Sequence, residues 1–142
     1  MAAKDAQDMS GVLAVLWDPR WLNLKAYELI VGVLVSSFIR GYEDKVHFLN
    51  LYALHKDRIS FWDTLVAGDL LKIGSLIIVG DYNATMSRDE IWGCRAKRDP
   101  LAERLIDIFD NNNLVDIRPS PLAPTWCNGR EGDQNIGKRL DR

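Results

Sequence analysis

Apolar runs alternate along the chain with short polar breaks, and the period of each run predicts the element it forms. Residues 12–17 make a compact apolar run stopped by Asp18-Pro19, which predicts a buried strand. Residues 28–39, rich in β-branched side chains, predict a second strand. A polar turn at 41–44 leads into a third at 45–53, where the adjacent apolar Phe48 and Leu49 break strict alternation, as in strands buried on both faces. Over 57–71 the period becomes helical. Ile59, Phe61, Trp62, Leu65, Val66, Leu70 and Leu71 share one side, with Gly74 placed to close the helix. The dense apolar run 75–79 predicts a buried strand that enters a turn at Gly80-Asp81. Asp99-Pro100 opens a second helix with proline in its first turn. Leu101, Leu105, Ile106, Ile108 and Phe109 give that helix its apolar face, and Asn111-Asn112-Asn113 ends it. A short strand at 114–117, an extended connection marked by Pro119, Pro121 and Pro124, a strand start at 125–127 and a turn-rich stretch at 128–133 follow. Strands interleaved with helices predict an α/β or α+β domain, and strand following strand near the N-terminus predicts a mixed sheet.

Composition narrows the class. The 142 residues and 47% hydrophobic content suit one globular domain, expected over 11–142 behind a flexible polar stretch at 1–10. A net charge of −2 gives no global basic footprint of a dedicated nucleic-acid binder, although a nuclease needs only local phosphate contacts. Cys94 and Cys127 match no metal spacing and no disulfide framework, which predicts free thiols in a reducing compartment. The first ten residues lack a signal-peptide pattern, and the longest apolar run, 29–38, is interrupted by Gly32 and Ser36-Ser37. It is far short of the roughly 20 residues that span a bilayer, so the expected setting is soluble and intracellular, in nucleus or cytoplasm, away from membranes.

Three stretches carry candidate chemistry. In Leu76-Ile77-Ile78-Val79-Gly80-Asp81-Tyr82-Asn83 a buried strand delivers Asp81 and, two residues on, Asn83. Side chains two apart at a strand end point the same way, so a carboxylate able to orient water and an amide able to bind a phosphate oxygen are presented together. The same residue types also suit a plain Asx turn. In the strand ending Asn50-Leu51-Tyr52-Ala53, Tyr52 sets a phenol where it can donate to a phosphate, or simply serves as a core aromatic with a wet hydroxyl; His55 follows in a loop. Thr125-Trp126-Cys127-Asn128-Gly129-Arg130 and Gly137-Lys138-Arg139-Leu140-Asp141-Arg142 join basic residues to an exposed tryptophan, suited to a phosphate backbone and a base, or to a solvated chain end.

Taken together, in this order and in these strand contexts, the three stretches resemble the endonuclease/exonuclease/phosphatase superfamily. Asn50 to Ala53 resembles its tyrosine strand, Gly80 to Asn83 matches its Gly-Asp-x-Asn motif, and Thr125-Trp126 with Arg139-Leu140-Asp141 resembles its late Thr-Trp and Arg-Leu-Asp pattern. The wording around Trp17-Asp18-Pro19, 125–130 and 137–142 is similar to the endonuclease of plant LINE-type (non-LTR) retrotransposons, and the resemblance runs from about residue 11 to 142. It implies a partial αββα sandwich with mixed sheets and a Mg²⁺-assisted hydrolysis of DNA phosphodiesters. It further implies that Asp81 orients the attacking water, Asn83 binds the phosphate, Tyr52 stabilises developing charge and Asp141 supports the family's catalytic histidine. Thr125, Trp126 and Arg139 join Asn83 as substrate contacts.

The chain departs from the family in ways that predict a truncated, inactive domain. The family's upstream Asn strand and metal-binding Glu, and the histidine beyond Arg-Leu-Asp, have no counterpart, so no intact metal ligand set is expected. Neither His47 nor His55 stands in a replacing motif, and Leu54-His55 stand where Pro-Asn usually follows the tyrosine. The enzymatic status is accordingly open. The alternative expectation is a non-enzymatic interaction module that binds itself or a protein partner through exposed strand edges.

Overall fold

A computed structural model of the chain describes residues 2–4, 13–95 and 97–142, and these divide into two compact units with the boundary between Gly80 and Asp81. Most of the stretch expected to be flexible at 1–10 lies outside the described residues. Within it, Ala2–Lys4 forms strand β1, which pairs antiparallel with β2, Leu13–Val15.

The first unit is organised by one four-stranded sheet. Its strands are β3 (Lys25–Leu29), β4 (Gly32–Phe38), β5 (Lys45–Tyr52) and β6 (Leu76–Asp81), adjacent in that order. The single strand expected over 28–39 is in fact the second arm of a hairpin: β3 and β4 pair antiparallel, with Leu29 opposite Gly32 across the Ile30-Val31 turn. The β-branched run obscured that turn because it carries none of the usual Gly, Asn or Asp at its centre. Strand β4 is buried on both faces from Gly32 to Ser37, and it pairs with β5 so that Leu34 meets Leu49. Leu49 and Leu51 are fully buried, whereas Phe48, Asn50 and Tyr52 on the other face of β5 are half-buried, so the burial on both faces expected from the Phe48-Leu49 step is complete on one face alone.

Helix α1 spans Arg58–Ala67 and buries Phe61, Trp62 and Leu65, with the Phe61 and Trp62 rings edge to face at 5.6 Å. It is shorter than the helix expected over 57–71. Gly68 caps it, not Gly74, and Asp69 in a left-handed conformation leads into a separate 3₁₀ turn, Leu70–Lys72. Ile59, expected on the apolar side, is 63% exposed.

The second unit has little regular structure. Helix α2, Ala102–Asn111, buries Ala102, Leu105, Ile108 and Phe109. Asp99 sets its start by accepting the Leu101 N–H on Oδ1 at 2.9 Å. Asn112 and Asn113 end it: the Asn112 amide donates to the Ile108 carbonyl at 2.8 Å, and Asn113 takes a left-handed turn. Three two-residue strands, β7 (Ile91–Trp92), β8 (Trp126–Cys127) and β9 (Gly137–Lys138), form a small antiparallel sheet with β9 in the middle. The strand expected at 114–117 does not form. That segment alternates half-buried and exposed residues but joins no named sheet, because Arg139 ties it down through the Asp116 side chain and the Ile117 carbonyl instead of through a ladder. No helix of the described residues is long and apolar enough to cross a membrane.

Candidate active site

Strand β6 carries Gly80 at φ +125°, and a β-carbon there would collide with the Leu51 carbonyl oxygen of β5. Both the dihedral and the close approach demand glycine, so the first letter of Gly-Asp-x-Asn has a backbone reason. The chain then turns at once. The Asn83 N–H donates to Asp81 Oδ1 at 2.7 Å, and Asn83 itself is left-handed at φ 48°. The Asx turn is therefore real, and it leaves both side chains half-buried at the exit of the strand.

The C-terminal motif meets this turn through the backbone. Asp81 and Asp141 form an isolated antiparallel bridge, and the Tyr82 N–H donates to the Leu140 carbonyl at 2.8 Å. Directly opposed residues of such a pair project to the same side, which brings the Asp81 and Asp141 side chains to one face. Thr125 fixes the same segment. Its hydroxyl oxygen accepts the N–H groups of Leu140 at 2.9 Å and Asp141 at 3.1 Å, while its own N–H donates to the Lys138 carbonyl at 2.9 Å. Three motifs separated by some sixty residues of sequence thus converge: Asp81 and Asn83, Thr125, and Asp141. Trp126 begins β8, 45% exposed and opposite Lys138 in register. Tyr52 ends β5 in the first unit, half-buried, and His55 lies exposed in the loop beyond.

Arg139 occupies a different environment from the one expected of a substrate contact. Its side chain is 2% exposed, and Nη1 donates to Glu90 Oε1 at 2.8 Å and to Asp116 Oδ2 at 2.7 Å. Nη2 donates to Asp116 Oδ1 at 2.9 Å and to the Ile117 carbonyl at 3.2 Å. Arg142 completes the cluster, with Nη2 on both Glu90 oxygens at 2.8 and 2.7 Å and Nε 3.5 Å from Asp116 Oδ1. The guanidinium of Arg139 is spent on internal carboxylates and is not offered to a phosphate.

The electrostatics follow the contacts. Burial raises the Asp116 carboxyl, but the hydrogen bond from Arg139 and the charges of Arg142 and Arg139 outweigh it and hold its pKa below the ordinary carboxylate value. The Arg139 hydrogen bond to Asp116 pushes the guanidinium pKa up, so it is permanently charged. Tyr82, between Asp81 and Asn83, is 2% exposed, and burial pushes its phenol far above the usual range, against the pull of Arg142 lying 5.2 Å over the ring. Tyr82 also meets Phe109 of α2, ring centroids 6.4 Å apart.

Glu90 and Asp116 were not marked as site residues in the sequence. For Glu90 a signal exists: Ser87-Arg88-Asp89-Glu90 has capping-box spacing, and the structure forms that box at a short 3₁₀ turn, Arg88–Glu90. Asp116 has no comparable local signature. Cys94 and Cys127 are both free and exposed.

No family model matches the chain, and no curated protein matches it. Among solved structures, the endonuclease domain of TRAS1, a telomere-specific non-LTR retrotransposon, matches with a TM-score of 0.71 at 21% sequence identity, over 99% of this chain and 63% of that one. The chain has the fold of that endonuclease domain and spans 63% of its length. The mixed α/β architecture expected from the sequence is the one observed.

Proposed function

We propose that this chain carries part of the phosphodiester-cleaving site of a LINE-type retrotransposon DNA endonuclease, of the plant kind, within a single domain over 11–142. The observation that carries the reading is the convergence of Asp81, Asn83 and Asp141 under the Thr125 hydroxyl, in a chain with the fold of a non-LTR retrotransposon endonuclease domain. Asp81 orients the attacking water. Its Oδ1 already holds the Asn83 N–H, which fixes the carboxylate relative to the turn. Asn83 binds a non-bridging phosphate oxygen through its side-chain amide, and Tyr52, in the first unit, is the phenol to which the resemblance gives the stabilising of developing charge. Asp141, exposed at the bridge to Asp81, holds the position from which the resemblance implies support of the family's catalytic histidine. Trp126 offers a ring for a base to stack on, and Thr125 holds the segment beside it.

Magnesium is the cofactor the resemblance implies. Among the described residues no group of three or more His, Cys, Asp or Glu side chains is placed to hold a metal ion. The described side chains supply no complete protein donor set for the ion, so no step is routed through it here. A second reading, a protein-interaction module, is favoured by Val115 and Ile117, each 85% exposed on an extended segment that joins no named sheet.

Plasmid nicking with and without Mg²⁺, beside an Asp81→Ala variant of the same preparation, separates these readings. Metal-dependent nicking that disappears in the variant establishes the nuclease site and shows that the chain alone is competent. Equal silence of both proteins removes catalysis by this chain and favours the interaction module.

A further inference from the structure

We infer that Glu90 is the positioning residue of the candidate site, the carboxylate that holds the turn bearing Asp81 and Asn83 and the segment bearing Asp141 in one geometry. The inference rests on the reading of that site given above. Glu90 is 1% exposed, and it holds one segment through backbone N–H groups and the other mainly through two guanidinium groups. On one side its Oε2 accepts the Met86 N–H at 2.7 Å, three residues beyond Asn83. On the other, Oε1 accepts Arg139 Nη1 at 2.8 Å, and both oxygens accept Arg142 Nη2. The Glu90 carbonyl also accepts the Arg139 N–H at 3.0 Å. Arg139 and Arg142 bracket Leu140 and Asp141, so a single buried residue grips both flanks of the segment that bridges to Asp81. Arg142 closes the loop by donating from Nη1 to the Ala84 carbonyl at 3.2 Å.

Stability alone is a poor reason for such an arrangement. Buried ion clusters are often replaceable by well-packed apolar side chains at no loss, because desolvation offsets the attraction. What an apolar side chain cannot reproduce is direction. Glu90 accepts from four separate donors, the Met86 and Ser87 N–H groups and the Arg139 and Arg142 guanidinium groups, and charge-assisted bonds of the latter kind are short and geometrically strict. Glu90→Gln keeps the shape and one acceptor but loses the charge that holds two guanidinium groups together.

The test is amide hydrogen exchange across the full chain, residue by residue, in the wild type, in Glu90→Gln and in Arg142→Gln. Glu90→Gln is expected to speed exchange about tenfold or more at Tyr82, Asn83 and Asp141, while Leu105 and Phe109 in α2 stay within about twofold. Equal acceleration in α2 makes Glu90 a residue of general stability and overturns the inference; so does unchanged protection at Tyr82 and Asn83. Should Glu90→Gln not fold, Arg142→Gln decides on the same amides, with the same outcomes for and against. The readout needs no catalysis. A wild type silent in nicking, with Tyr82 and Asn83 released by the variant, sinks the functional reading and sustains the positioning one. Where the wild type nicks, kcat must fall in Glu90→Gln with KM for plasmid held within about twofold, and an unchanged kcat overturns the inference.

Discussion

The two units solve the same problem, fixing backbone in place, by different means. The first uses a ladder: β4 is paired along both edges and buried on both faces, and Leu49 and Leu51 sit at its centre with no exposure. Among its described residues the second has three strands of two residues each and one α-helix, and it fixes its irregular backbone with side chains. Thr125 holds two N–H groups, Asp99 starts the helix, and the Glu90–Arg139–Asp116–Arg142 cluster ties three stretches of chain together. The candidate chemistry lies with the second kind. A ladder specifies flat, repeating geometry, whereas presenting a carboxylate and an amide at a turn requires backbone directions that no ladder supplies.

The sharpest way to break this comparison is to remove the centre of the cluster. Arg139→Leu leaves Glu90 and Asp116 buried or half-buried against one fewer cation, a change that costs roughly 3–5 kcal/mol for a buried pair. The loss is expected in the second unit, read as early urea unfolding of α2 amides, with β4 and β5 amides unmoved. Simultaneous loss of β4 and β5 protection would show that the units do not differ in what holds them.

A smaller change sharpens the same point. Thr125→Val preserves shape and deletes the oxygen that accepts from Leu140 and Asp141. An N–H left without its acceptor costs roughly 1–3 kcal/mol where it is buried, and less where water reaches it, as at exposed Asp141. Exchange at Leu140 and Asp141 is expected to accelerate, and Thr125→Ser to restore it. Unchanged exchange at Leu140 and Asp141 in Thr125→Val would show that the hydroxyl does not hold the segment.

Legibility in the sequence followed the same division. The elements of the first unit were readable because burial on a ladder leaves period and β-branching in the sequence: β5 and β6 fall within a residue or two of where the apolar runs place them. The hairpin between β3 and β4 was hidden, since Ile30 and Val31 turn without turn residues. In the second unit α2 was readable from its period and its Asn stop, yet β7 and β9 were not, since two residues cannot display a period. The site divides likewise. Asp81 and Asn83 are two residues apart in sequence and declare themselves, and Gly80 explains its own presence. Arg139 read as a surface cation because its partners, Glu90 and Asp116, are 49 and 23 residues away and only the fold brings them near.

The subtlest separation of the units is by acid. Asp116 has its carboxyl pKa held below the ordinary value in the fold, so it contributes stability that is fully present above its unfolded pKa, near 3.9. That contribution is lost as pH falls through the lower folded pKa, when the carboxylate protonates and releases Arg139. The expected signature is a difference between wild type and Asp116→Asn that is constant from pH 7 to about 5 and shrinks below about 4. It is read as the urea midpoint of α2 amides at each pH. The amides of β4 and β5 should show no difference between the two proteins at any of these values. A wild-type advantage that persists undiminished at pH 3 would mean that Asp116 holds Arg139 by shape and not by charge, and the second unit would then be closer to the first than its contacts indicate.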